Sequence, residues 1–134
     1  MNRKLRLGVL LFLALLSVFD IVTTFRGTQT ILGFSPYQTA FSGVFALIIG
    51  VTLVATSSVF HTAKYSHNIF FKLLPILWLV LFSYDVYTSY LGNLSFMYGN
   101  ASIADITQEQ LLILVPTTIF VSISSIIISY MTKD

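Results

Sequence analysis

The chain contains 134 residues, of which 56% are hydrophobic and 9% are charged, with seven Lys and Arg against five Asp and Glu. A soluble domain carries about 25% charged residues, so this composition excludes an ordinary water-soluble domain, whose surface it would leave covered by apolar patches. The absence of cysteine excludes disulfides and thiolate metal sites, and the small net charge of +2 gives no support for nucleic-acid binding.

Four segments are long and apolar enough to cross a bilayer, whose core of about 30 Å requires about 20 such residues per helix. They cover about residues 7–25, 41–60, 73–91 and 111–131. The first and third are each interrupted by one charge, Asp20 and Asp85, whereas the second and fourth contain none. The sequence therefore predicts an all-α integral membrane protein, a single four-helix domain over residues 1–134.

Short connections separate these segments. Pro36 is expected to lead into the second helix, and residues 61–71 and 93–110 form the second and third loops. Thr107 followed by Gln110 has the spacing of a capping box, which predicts the start of the fourth helix.

The orientation is predicted from the basic residues near the helix ends, because these accumulate on the cytoplasmic side. Six lie on one side, Arg3, Lys4, Arg6, Lys64, Lys72 and Lys133, against Arg26 on the other. This asymmetry predicts that both termini are cytoplasmic.

An internal repeat appears when the chain is aligned with itself at an offset of 65 residues. Residues 19–28 (FDIVTTFRGT) match residues 84–93 (YDVYTSYLGN), with Asp, Thr and Gly identical and aromatic and hydroxyl types retained at other positions. Because each unit would contain two crossings, the copies would enter the membrane in the same direction. The sequence thus predicts two tandem helical hairpins related as parallel repeats, at about residues 5–64 and 70–133.

The repeat brings polar residues together on the odd-numbered helices. Residues at i+3 and i+4 share a helical face, so each Asp is accompanied by two hydroxyl groups. If the copies face each other, six polar side chains converge: Asp20, Thr23, Thr24, Asp85, Thr88 and Ser89. An intramembrane Asp costs about 2.5 to 3.5 kcal/mol of insertion free energy, so these acids are not expected to face lipid.

Two interpretations of this cluster stay open. A protonated Asp can donate a hydrogen bond across helices and act only as a helix-pairing group. Alternatively, carboxylate and hydroxyl oxygens can hold a cation or relay protons, and intramembrane acids are functional candidates by default. A continuous polar path would favour the second interpretation, and an acid pair sealed between helices would favour the first.

Small residues on the even-numbered helices are expected to allow close helix packing. They are Gly43, Ala46, Gly50 and Ser57 on the second helix, and Ser122 and Ser125 on the fourth. Pro75 and Pro116 are expected to bend the third and fourth helices.

The leading hypothesis is an oligomeric membrane protein that forms a cation or proton pathway around the polar cluster. The alternative is a non-conducting structural or assembly subunit of a larger membrane complex. A third hypothesis is a membrane-permeabilising or immunity-type small protein, which the composition also fits. The expected partners are the lipid bilayer and either further copies of the chain or other membrane subunits. The sequence contains no Ser/His/Asp grouping, phosphate-binding loop or metal-binding helix, so it predicts no enzymatic activity, metal or cofactor.

Overall fold

The computed structural model describes residues 1–99 and 103–133, which are helical nearly throughout and contain no strand. The helices are α1 (Arg3–Leu32), α2 (Pro36–Val54), α3 (Thr56–Tyr65), α4 (Ile69–Lys72), α5 (Leu74–Tyr98) and α6 (Gln108–Met131), with a short 3-10 helix at Ile103–Asp105. Four candidate spans, Arg3–Leu32, Pro36–Val54, Ile69–Tyr98 and Gln108–Met131, are long and apolar enough to cross a membrane. The expected all-helical membrane architecture is confirmed at this level.

Local capping explains where the helices begin. Ser35 and Gln38 form a capping box at the start of α2, where Pro36 occupies a first-turn position that needs no backbone N–H. Thr107 and Gln110 form the capping box expected at the start of α6.

The second and third hydrophobic segments are each divided into two helices. The second span is divided at Ala55 into α2 and α3, where the Thr56 hydroxyl bonds to the Leu53 carbonyl and accepts the Trp78 indole N–H at 2.9 Å. Hydroxyl bonding to a preceding carbonyl bends helices. In the third span, Pro75 lies in the first turn of α5, so it starts that helix rather than bending it, whereas Pro116 lies inside α6.

The α1 helix contacts α2, α5 and α6. The Arg6 guanidinium donates to the Met131 carbonyl at 2.7 Å, and Ser17 Oγ lies 2.6 Å from Ser125 Oγ. Positions later in α1 therefore contact positions earlier in α6, so the two helices are antiparallel.

The directions of α2, α3 and α5 follow from side-chain contacts of the same kind. The Gln29 side chain donates to the Thr39 hydroxyl at 3.1 Å near one end of α1, so α2 runs back along α1 after a three-residue connection at positions 33–35. Phe45 of α2 packs against Tyr84, and Phe60 of α3 packs against Trp78, so α5 runs opposite to α2 and α3. It follows that α1 and α5 run in the same direction.

The interior of this bundle is mostly polar. The buried apolar side chains in the described part are Leu13, Ala46, Ile49, Leu53, Leu94, Leu114 and Val121, and more than twice as many buried residues are polar. Large apolar side chains instead cover the outside. This distribution suits a lipid environment, where apolar side chains face hydrocarbon and polar groups must find partners inside the protein.

Candidate functional site

The two acids face each other in the middle of the bundle. Asp20 on α1 and Asp85 on α5 are 1% and 2% exposed, and their carboxyl groups lie close enough to interact directly. Both are therefore sealed between helices in the single chain.

Reciprocal hydrogen bonds connect the acids to the opposite helix. Thr24 Oγ1 donates to Asp85 Oδ1 at 2.7 Å, and Ser89 Oγ donates to Asp20 Oδ1 at 2.8 Å. The two hydroxyl oxygens lie 3.0 Å apart. The four side chains thus form a continuous chain of oxygens from one carboxyl group to the other.

The other two hydroxyl groups of the expected cluster are placed differently. Thr23 Oγ1 lies 3.2 Å from Ser89 Oγ and 2.9 Å from the Asp20 carbonyl, so it adjoins the chain of oxygens. Thr88 Oγ1 lies 2.8 Å from the carbonyl of Tyr84 and 3.2 Å from that of Asp85, both on its own helix. Thr88 is therefore buried beside the cluster, with its hydroxyl bonded to α5.

Donors are distributed unequally between the two acids. Ser122 of α6 adds a second hydroxyl, 3.5 Å from Asp20 Oδ1. Asp85 Oδ2 is buried and has no hydrogen-bond donor within the described part of the chain. Ser122, which the sequence assigned to helix packing, thus also contacts the acid pair.

Two glycines set the distance between α1 and α5. A Cβ built on Gly27 would lie 1.8 Å from the Thr88 carbonyl oxygen, and one built on Gly92 would lie 2.0 Å from the Thr23 carbonyl oxygen. Each glycine follows a threonine by four residues, the small-xxx-small spacing that permits close backbone approach between membrane helices. Both belong to the repeated segments, but the sequence analysis did not select them.

Further buried polar pairs lie along the bundle. Ser57 Oγ is 3.0 Å from Ser129 Oγ, and Asn93 Nδ2 donates to Thr118 Oγ1 at 3.2 Å. The Thr28 and Tyr84 hydroxyl groups lie 3.2 Å apart. With the Ser17–Ser125 pair, polar contacts extend over about 16 Å along α1 between residues 17 and 28, at a rise of about 1.5 Å per residue.

The expected packing residues divide into three groups. Ala46 and Gly50 are buried, and a Cβ on Gly50 would lie 2.7 Å from Ile21 of α1. Gly43 is half-buried and leaves room, since a Cβ there would lie 3.7 Å from Phe25. The serines lie in polar pairs inside the chain: Ser57, Ser122 and Ser125.

The fold and the site define an all-helical protein with four candidate membrane spans and a buried acid pair linked by hydroxyl groups. No family model, curated protein or solved structure matches this chain.

Proposed function

We propose that this chain is a small integral membrane protein that relays protons through the Asp20–Asp85 pair. The observation that carries the proposal is the continuous chain of oxygens Asp20–Ser89–Thr24–Asp85, with separations of 2.8, 3.0 and 2.7 Å. A hydroxyl group can accept one proton while it gives up another. The transfer begins when the Thr24 hydroxyl turns from Asp85 Oδ1 toward Ser89 and the carboxyl group of Asp85 turns its O–H toward Thr24. Thr24 then takes the proton of Asp85 and gives its own to Ser89, which gives its own to Asp20. Each hydroxyl then ends with one proton.

The same distances favour protons over metal cations. The oxygens already lie within hydrogen-bond distance of one another. A cation bound among them would have to break these hydrogen bonds and place itself between the two helices. The close backbone contacts of Gly27 and Gly92 oppose such a separation.

The cost of the acids supports a role beyond helix pairing. Other interhelical contacts in this bundle are made by pairs of neutral hydroxyl groups, Ser17–Ser125 and Ser57–Ser129. Two Asp residues each add about 2.5 to 3.5 kcal/mol to the insertion free energy when they lie near a helix centre. A carboxyl group provides what a serine does not, which is the uptake and release of a proton.

The contacts also support two tandem hairpins related by duplication. From Asp20 to Gln29, the buried positions of α1 are 20, 23, 24, 27, 28 and 29, and those of α5 are 85, 88, 89, 92, 93 and 94, each 65 residues later. Thr24 bonds to Asp85 as Ser89 bonds to Asp20, and Gly27 meets Thr88 as Gly92 meets Thr23. These reciprocal contacts fit a pseudo-twofold axis that runs along the bundle between α1 and α5.

Two grooves on the outer surface of the bundle provide independent support for the duplication. One is lined by Ile21, Gly50, Val51, Val54 and Ala55. The other includes Val86, Val115 and Ile119 in its lining, and these positions are 65 residues after 21, 50 and 54. These shared lining positions support the proposal that the duplication includes the even-numbered spans.

A second candidate function is a non-conducting structural subunit, favoured by a different observation. The acid pair is sealed between helices, which is the arrangement that the sequence analysis associated with helix pairing, and each carboxyl group accepts a hydrogen bond from a hydroxyl group of the opposite helix. In this function the cluster holds α1 and α5 together and exchanges no protons with the surroundings. We retain further copies of the chain or other membrane subunits as proposed partners. Because the serines of α6 contact other helices of the same chain, such partners would use the apolar outer surface.

Proton flux into liposomes separates the two functions. Asn keeps the size and hydrogen-bonding capacity of Asp but does not ionise, so Asp20→Asn and Asp85→Asn retain helix pairing and remove the protonatable group. We expect each variant to reduce the flux at least tenfold and the double variant to reduce it no further than the more affected single one, because the pair acts as one site.

Asp105→Asn, in the connection before α6, is the control and keeps the wild-type flux. Thr24→Val tests the relay itself, since it removes the hydroxyl at similar size. Wild-type flux equal to that of empty liposomes, with Asn variants that fold and assemble normally, would replace the relay by the structural function.

A further inference from the structure

We propose that the resting acid pair holds one proton, that this proton sits on Asp85 Oδ2, and that Asp20 is the ionised partner. This inference rests on the proposed function, since it names the proton donor of the relay. It is carried by the unequal surroundings of the two carboxyl groups.

The unpartnered oxygen identifies the protonated residue. Asp85 Oδ2 is buried without a hydrogen-bond donor in the described part of the chain, while the carboxyl group of Asp20 lies against Asp85. A buried polar atom without a partner in hydrocarbon costs several kcal/mol. A proton on this oxygen turns it from an acceptor into a donor. In the proposal its acceptor is the carboxylate of Asp20, which lies against Asp85.

The hydroxyl donors identify the ionised residue. Asp20 Oδ1 accepts the hydroxyl of Ser89 at 2.8 Å and lies 3.5 Å from that of Ser122, whereas Asp85 Oδ1 accepts that of Thr24 at 2.7 Å. Ser122 also lies near Asp85, but in the described part of the chain its hydroxyl is within 3.5 Å of Asp20 Oδ1. Donors stabilise a carboxylate more than a neutral acid. The additional donor from α6 therefore favours the negative charge on Asp20.

The described parts of the surrounding helices supply no compensating cation. The described parts of α2 and α6 contain no Lys, Arg or His, and Lys64 and His61 lie in the second half of α3. On α1 and α5 the neighbouring ionisable side chains are Arg26, which donates to Ser95, and Tyr84, whose hydroxyl contacts Thr28. Two adjacent carboxylates without a cation repel each other strongly at low dielectric, so the pair retains one proton.

Infrared spectroscopy of the full chain in lipid bilayers tests this assignment, because the C=O stretch of a protonated carboxyl group is separate from that of a carboxylate. At neutral pH we expect one protonated-carboxyl band in the wild type. Asp85→Asn removes it, whereas Asp20→Asn keeps it, since the introduced amide offers its oxygen to the Asp85 hydroxyl. Asp105→Asn serves as the control and leaves the band unchanged.

A conservative variant covers the case in which Asp85→Asn does not fold. In Asp85→Glu labelled with ¹³C-carboxyl glutamate, the protonated band shifts to lower frequency if position 85 carries the proton. A band that persists in Asp85→Asn overturns the assignment whatever Asp20→Asn shows, as does the absence of the band from the wild type. If the band is present but no proton flux is measured, the proposed function is wrong and this inference stands. If proton flux is measured but the band is absent, only this inference is wrong.

Discussion

Many buried polar side chains in the described part of this protein are hydrogen-bonded to one another, although the side-chain oxygens Asp85 Oδ2 and Asn93 Oδ1 have no partner there. Thr24 with Asp85 and Ser89 with Asp20 are the central examples. Interhelical hydrogen bonds in membranes contribute only about 0.6 kcal/mol on average, whereas an unpaired polar group in hydrocarbon costs several kcal/mol. Their main effect is therefore on register: a shifted α1–α5 interface would leave several polar groups unpaired, so the reciprocal pairs favour one arrangement.

Substitutions at Gly27 and Gly92 test the close approach of α1 and α5. Gly27→Ala and Gly92→Ala would each place a methyl group against a backbone carbonyl, at 1.8 and 2.0 Å before relaxation. We expect each to lower the free energy of unfolding by about 1 to 3 kcal/mol, the usual cost of overpacking. Denaturant titration in detergent micelles, followed by circular dichroism, measures the loss.

Gly8→Ala provides a matched control on α1, because a Cβ there meets nothing within 4 Å. It should leave stability unchanged or raise it by up to about 1 kcal/mol, since Ala favours helix over Gly. Equal effects of all three substitutions would disprove the close contact between α1 and α5.

At the scale of whole elements, each helix presents a narrow polar or small-residue face to its neighbours and an apolar face outward. In α1 the buried face includes Asp20, Thr24 and Gly27, while Val18 and Val22 are exposed. In α2 it includes Ala46 and Gly50. The helices thus pack through their less apolar faces, as close approach in a membrane requires.

The α1–α2 interface makes Gly50 a sensitive position. A larger side chain there must displace Ile21, whose Cγ1 would lie 2.7 Å from a new Cβ. Gly50→Leu is expected to reduce the yield of folded protein severalfold, as measured by size-exclusion chromatography of detergent extracts. Ile48→Leu is the control, because Ile48 is 52% exposed on the outer surface of the same helix. If both variants give the same yield, Gly50 does not determine this packing.

For the molecule as a whole, the alternating directions of the helices collect positive charge at one end. The start of α1, the end of α3, α4 and the residues after α6 lie at this end, with six basic residues: Arg3, Lys4, Arg6, Lys64, Lys72 and Lys133. Arg26 lies toward the other end, stacked over Phe34 at 5.0 Å. Because basic residues accumulate on the cytoplasmic side, we predict that this end is cytoplasmic.

Reporter fusions test this orientation. A reporter joined after residue 134 should be active in the cytoplasm, and one inserted near residue 100 should be active on the opposite side. Each position is tested with two reporters, one active only after export and one active only in the cytoplasm, so that both sides of the membrane are measured independently. Activity of both positions on the same side would contradict four crossings with this orientation.

The sequence by itself determined the features that depend on local chemistry. The four spans follow from the lengths of apolar segments, and the capping box at Thr107 follows from residues three apart. The candidate site was also visible, because an acid in an apolar helix is rare and its repetition at a fixed offset marks a pair of positions. Each of these inferences uses one segment of the chain and requires no knowledge of the side chains on a neighbouring helix.

The tertiary structure decided what each side chain contacts. It turned the Thr88 hydroxyl to its own backbone, placed Ser122 beside Asp20 and set Gly27 and Gly92 against opposing carbonyl groups. It also extended α1 seven residues beyond the expected end at position 25, to Leu32. The apolar run gives only the length that suits hydrocarbon, whereas the buried residues that follow it stay helical because α2 and α5 pack against them. Hydrogen-bond partners and close approach depend on two surfaces at once, and one chain segment specifies only one of them.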